Sequence, residues 1–210
     1  MDIALLVLRV IVGLLMAGHG AQKLFGSFGG HGIDGTAGFM ESLGMRPGRR
    51  HATAAGTAEL AGGALLVLGL ITPLGAALVI GVMVVAIATV HAKNGPWVSD
   101  GGFEYNLVII ATCFALAGAG PGNFSLDNAI GWMPDITGAG WAFIALGVGL
   151  LGGMAAMMSG RREATAPRRR EPVRPETAPV ADERSGRFVH EADDATIEQR
   201  RRPGIPADPR

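Results

Sequence analysis

Residues 3–24 read IALLVLRVIVGLLMAGHGAQKL, an apolar run long enough to cross the hydrocarbon core of a bilayer as one helix, with a charge, Arg9, inside it. An ionisable side chain at the middle of a membrane helix costs about 2.5–3.5 kcal/mol unless it meets a partner or water. A second run, residues 53–70, carries Glu59. Two opposite charges in neighbouring apolar segments predict a polar seam inside a helix bundle, with Arg9 and Glu59 coupled across the first two spans. If that pair fails, Glu59 is expected to meet Lys23 or His19 instead.

Working outward, five segments approach spanning length: residues 3–24, 53–70, 74–91, 105–119 and 141–158, the fourth being the shortest. No basic region precedes the first run and Arg9 interrupts it, so it reads as a retained helix and not as a cleaved leader. Pro73, close behind Gly69 and Thr72, makes the connection between spans two and three very tight and these spans antiparallel neighbours. Arg46, Arg49 and Arg50 follow span one, Lys93 follows span three, and Arg161 and Arg162 follow span five, whereas residues 71–73 and 120–140 hold no Lys or Arg. This alternation predicts an N-terminus outside and a C-terminus in the cytoplasm.

In the first basic loop, Asp34 is expected to cap a short interfacial helix with Ala37, Phe39, Met40 and Leu43 on its apolar side and Gly44 at its end. Gly149 and Gly153 form a small-xxx-small pair suited to helix association. Beyond Gly160 the chain turns rich in Pro, Arg, Glu and Asp, which predicts a disordered charged tail over residues 161–210. Residues 1–160 carry a slight acidic excess and the tail the matching basic one, so the net charge of +0 averages two unlike parts. The lone Cys113 excludes an internal disulfide, a CxxC redox motif and a zinc ribbon, and no metal site or nucleic-acid partner is predicted.

Helical spacing puts Arg9, Met16, Gly20 and Lys23 on one side of span one with His19 on its flank. Glu59 lies between Gly56 and Gly63, His91 ends span three and Glu104 opens span four. Each has a structural reading beside the functional one. Lys23 and Glu104 suit span ends in any case. Arg9 and Glu59 can form a register-fixing ion pair, and His19 and His91 can be hydrogen-bonded interface histidines or, in principle, ligands to haem.

The order Arg9–Gly13, Gly18-His19-Gly20, Lys23-Leu24, Phe39 to Gly44, Glu59 with Gly62-Gly63, Leu68-Gly69-Leu70-Ile71-Thr72, His91, Gly102 with Glu104, Gly120-Pro121-Gly122 and Ser125-Leu126-Asp127 resembles the DoxX family of small bacterial membrane proteins over about residues 1–130. The resemblance implies a four-helix membrane core over 1–130; outside it, the residues themselves predict an added transmembrane helix over 131–160 and the disordered tail over 161–210, so that the whole reads as an all-α polytopic membrane bundle. It implies the bacterial inner (plasma) membrane and a subunit of a quinone-linked oxidoreductase in sulfur or redox metabolism, with a soluble redox or sulfur-transfer partner and room for a homo-oligomer.

On that reading Arg9, His19 and Lys23 polarise a quinone carbonyl, while Glu59 or Glu104 relays protons and His91 belongs to the same polar set. The same seam also suits a small-solute transporter or channel. A non-catalytic scaffold that recruits soluble proteins through its tail is the third reading.

Overall fold

The computed structural model describes residues 1–165, which are helical throughout their regular elements and contain no strand among the described residues. The tail expected to be disordered lies outside the described residues from 166 onward, although the last helix runs past the expected boundary at Gly160 to Thr165. The helices are α1 (Asp2–Phe25), α2 (Gly32–Ser42), α3 (Gly48–Leu68), α4 (Thr72–Ala86), α5 (Glu104–Ala119), α6 (Leu126–Ala129) and α7 (Ala139–Thr165). By length and composition α1, the α4 stretch Thr72–Asn94 and the α7 stretch Ala139–Gly160 are fit to cross a membrane. The apolar α5 is shorter. α3 has the length, but Arg49, Arg50 and Glu59 dilute its apolar character, so the expected second span is the one that needs its neighbours most.

α1 and α3 pack most intimately. In lipid there is no hydrophobic gain in pressing one apolar helix on another, so association rests on close van der Waals fit, which small residues permit. Gly13 faces Gly63 and Gly20 faces Gly56 so closely that a β-carbon on Gly63 would stand 2.4 Å from the Gly13 carbonyl oxygen, and one on Gly20 would stand 2.6 Å from that of Gly56. Behind this seam Met16, Leu66, Val79, Ile80, Met83, Ile109, Cys113 and Leu116 form the core shared by α1, α3, α4 and α5. α7 lies against α4 and α5. Its Gly149 and Gly153 approach Ile80 and Gly81 of α4, so this small-residue pair is used inside the chain.

The α3–α4 hairpin turns as tightly as Gly69, Thr72 and Pro73 predict. Gly69 (φ 60°) adopts the left-handed conformation, and the amides of Gly69 and Leu70 bond back to the carbonyls of Leu66 and Leu65. Ile71 then takes φ 43°, which a β-branched residue adopts only when its surroundings force it. Asp127 supplies that force. Its carboxylate, fully buried, accepts the amide of Ile71 at 2.8 Å, the amide of Thr72 at 3.1 Å and the Thr72 hydroxyl at 3.0 Å, which satisfies the free donors at the start of α4.

Two local expectations need correction. Asp34 does not cap α2; it lies in the first turn and pairs with Arg49 at 2.5 Å, because α2 begins earlier, at Gly32. Phe39 points outward and about half exposed, while Met40 is the residue of that helix that enters the core. α4 is also longer than its α-helical part, continuing through a π-helical turn, Ile87–His91, before the short turn Ala92–Asn94.

Candidate functional site

The polar groups of the bundle fall into two separate sets. Arg9, 1% exposed, does not meet Glu59, and the expected coupling of that pair is overturned. Its guanidinium donates to the carbonyls of Leu66 (3.4 Å), Val67 (3.2 Å) and Phe124. The first two are among the last carbonyls of α3, which have no intrahelical partner. Asp127 lies within electrostatic reach on the other side of the same turn. Arg9 and Asp127 thus close the two helix ends that meet at residues 69–72.

The antiparallel register explains the correction. With Gly13 opposite Gly63, Arg9 stands level with Val67, about 12 Å along the axis from Glu59 at 1.5 Å per residue.

At the other end of the bundle Lys23 meets Glu59. The ammonium donates to Glu59 Oε1 at 2.7 Å and to Oε2 at 2.5 Å, with the carboxylate buried and Lys23 about a quarter exposed. Side chains lean toward the N-terminus of their own helix. In antiparallel α1 and α3 that tilt brings Lys23 and Glu59 toward each other although their backbones are offset. Lys23–Glu59 and Arg49–Asp34 are both ion pairs, and of these two only the first is buried.

The Lys23–Glu59 pair borders a partly open cavity of about 520 Å³ between α2, α3, α4 and α7. Its walls are largely apolar, from Leu43 and Met45, Leu78 and Val82, and the Gly149 to Gly153 stretch of α7. His91, on the π-helical turn, also borders it, as does His51 in the first turn of α3. His91 Nδ1 is 2.8 Å from the Gly101 carbonyl oxygen. A carbonyl only accepts, so Nδ1 carries the proton and Nε2 of the neutral ring is left as an acceptor.

The other sequence candidates lie outside this group. His19 is exposed and interacts with Glu59 only electrostatically. Glu104 opens α5, its amide bonded to the Pro96 carbonyl, and does not border the cavity.

Residues 4–92 match the family model DoxX. The chain is also 33% identical over 118 residues to CatD of Bacillus subtilis (strain 168), a protein bearing the provisional name of an oxidoreductase. That alignment covers 56% of this chain and 81% of CatD. The chain belongs to the DoxX family.

No solved structure matches this DoxX protein. The family match stops at residue 92, short of the residue 130 reached by the motif resemblance, and so holds α1 to α4 with the π-helical turn but neither Asp127 nor α7. Three cavity walls of this DoxX chain therefore come from the matched segment, and α7 adds the fourth from outside it.

Two residues escaped sequence reasoning. Asp127 stood in the closing Ser125-Leu126-Asp127 motif without an assigned partner, and His51 carried no motif at all. The signal for Asp127 was an acidic residue between two turn-rich stretches; His51 had none.

The buried ion pair makes a direct prediction. Glu59→Gln or Lys23→Met alone is expected to destabilise the detergent-solubilised protein by about 3 kcal/mol, because each leaves a partner without its counter-charge. The double variant should recover much of the loss. Strict additivity in unfolding measurements would show that the two groups do not act as a pair.

Proposed function

We propose that this DoxX protein is a quinone-binding membrane component of an oxidoreductase system, seated in the bacterial inner membrane with its N-terminus outside and its C-terminus in the cytoplasm. The observation that carries the reading is the apolar cavity of about 520 Å³ with a buried Lys23–Glu59 pair in its wall. The volume lies within the about 300–1,000 Å³ of small-molecule sites, which are mostly apolar with a few placed polar groups. A quinone head needs an apolar surrounding, a donor for its carbonyl and a route for protons, and this lining offers all three.

When bound, a quinone accepts two electrons and two protons; the electrons come from a separate redox partner. Lys23 Nζ has three N–H donors, of which two serve Glu59, and the third is available to hold a ligand carbonyl in position. Glu59 keeps Lys23 oriented, and a proton that the Lys23 ammonium gives to the ligand oxygen can be replaced through the Glu59 carboxyl. In the reverse direction His91 Nε2 can accept the hydroxyl proton of the reduced ligand. Arg9 takes no part in this reading, since its two terminal nitrogens are engaged by carbonyls at the far end of the bundle.

The oxidoreductase name of CatD supports the reaction class. Arg46, Arg49, Arg50 and Lys93 flank the helix ends on the cavity side, which supports a cytoplasmic placement of that end.

Mass spectrometry of solvent extracts tests this. Protein purified in mild detergent is expected to retain near-stoichiometric quinone, and Lys23→Met is expected to lose most of it. Wild-type protein free of quinone, taken from membranes that contain it, would overturn the reading.

A further inference from the structure

The polar side chains around the cavity are nearly all committed to partners within the protein. Lys23 and Glu59 hold each other, His91 Nδ1 is bound to Gly101, and the Thr89 hydroxyl donates to the Val85 carbonyl. His51 is different. It borders the same cavity, is 6% exposed, and has no hydrogen-bond or ion-pair partner among the described residues.

Its ring nitrogens are not among the buried atoms cut off from any partner, so this uncommitted imidazole on the cavity wall is open to one from outside the chain. The packing preserves its freedom. A β-carbon on Gly160 of α7 would stand 3.0 Å from His51 Nε2, and glycine there leaves the ring its place while the end of α7 shields it.

We infer that His51 is a ligand-binding residue of this cavity, its imidazole hydrogen-bonding an oxygen of the redox-active lipid head. This rests on the quinone reading above and extends it. A neutral imidazole offers one donor and one acceptor. The N–H can serve a quinone carbonyl, and the bare nitrogen can serve the hydroxyl of the reduced form. One residue can therefore donate to the carbonyl and accept from the hydroxyl, whereas the Lys23 ammonium only donates and the His91 Nε2 only accepts.

Titration of the full-length protein in nanodiscs with a short-chain ubiquinone and a short-chain menaquinone tests the assignment. His51→Leu is expected to weaken binding of the accepted quinone about tenfold, and His51→Gln, which keeps a donor and an acceptor, to stay within about threefold of wild type. Unchanged thermal unfolding of both variants identifies the effect as one on the ligand. Independently of any variant, the ¹⁵N signals of one histidine ring in the wild-type protein are expected to shift on quinone addition and to be missing from the spectrum of His51→Gln. Wild-type affinity in His51→Leu, or histidine signals unmoved by a bound quinone, would overturn the role of His51 and leave the quinone reading standing. Failure of the wild-type protein to bind either quinone would overturn both.

Discussion

Arg9→Ala is expected to destabilise the bundle by about 3–5 kcal/mol, the largest effect of any single polar substitution in this protein. The change strips the side-chain donor from the carbonyls of Leu66, Val67 and Phe124, of which Leu66 keeps the Gly69 amide, and leaves the buried Asp127 without the positive charge within its electrostatic reach. Arg9→Lys should recover only part of the loss, since an ammonium keeps the charge but not the planar fork that reaches several carbonyls at once. Denaturant unfolding in detergent provides the measurement. In double-mutant cycles Arg9→Ala is expected to couple with Asp127→Asn and to be additive with Glu59→Gln, because Glu59 belongs to the polar set at the opposite end. Coupling to Glu59 and none to Asp127 would refute the arrangement.

Enlarging Gly63 should have an effect of similar size. Its β-carbon would lie 2.4 Å from the Gly13 carbonyl oxygen and 2.5 Å from the Ala17 amide nitrogen, both backbone atoms that cannot step aside without parting α1 from α3. Gly63→Ala is expected to cost about 1–3 kcal/mol or somewhat more, and Gly63→Leu to prevent the helices from closing. Gly18, on the same face-rich stretch of α1, has nothing within 4 Å of its β position. Gly18→Ala should therefore stay within about 0.5 kcal/mol of wild type. Equal effects at Gly18 and Gly63 would mean that helix propensity, not the α1–α3 seam, sets the response.

What the sequence revealed is what local rules determine. The long apolar runs announced α1, α4 and α7, and Gly69, Thr72 and Pro73 announced a tight hairpin, because conformational preference and spanning length are written in neighbouring residues. The partner of a buried charge is not. Arg9 and Glu59 looked like a pair because they are opposite in sign and lie in successive spans, but the antiparallel register that Gly13 and Gly63 impose puts them at different levels. Lys23, readable as a snorkelling end residue, becomes the partner of Glu59 because both side chains lean along their helices toward each other. His51 is buried only when the end of α7, more than a hundred residues later, packs over it. Asp127 acquires its role only where residues 124–127 return to the turn at 69–72.

The closure of that turn has a consequence for the order in which the chain is assembled. α1, α3 and α4 leave the ribosome well before Asp127, so the hairpin enters the membrane with the amides of Ile71 and Thr72 still lacking the carboxylate that receives them, and Arg9 still lacking Phe124. The turn can settle into its strained form only after α5 has been made and its trailing loop has come back across the bundle. Synthesis of the last core helix is thus a checkpoint for the first ones, and a fragment cut at the end of the family-matched segment would hold its helices but not the lock that joins them.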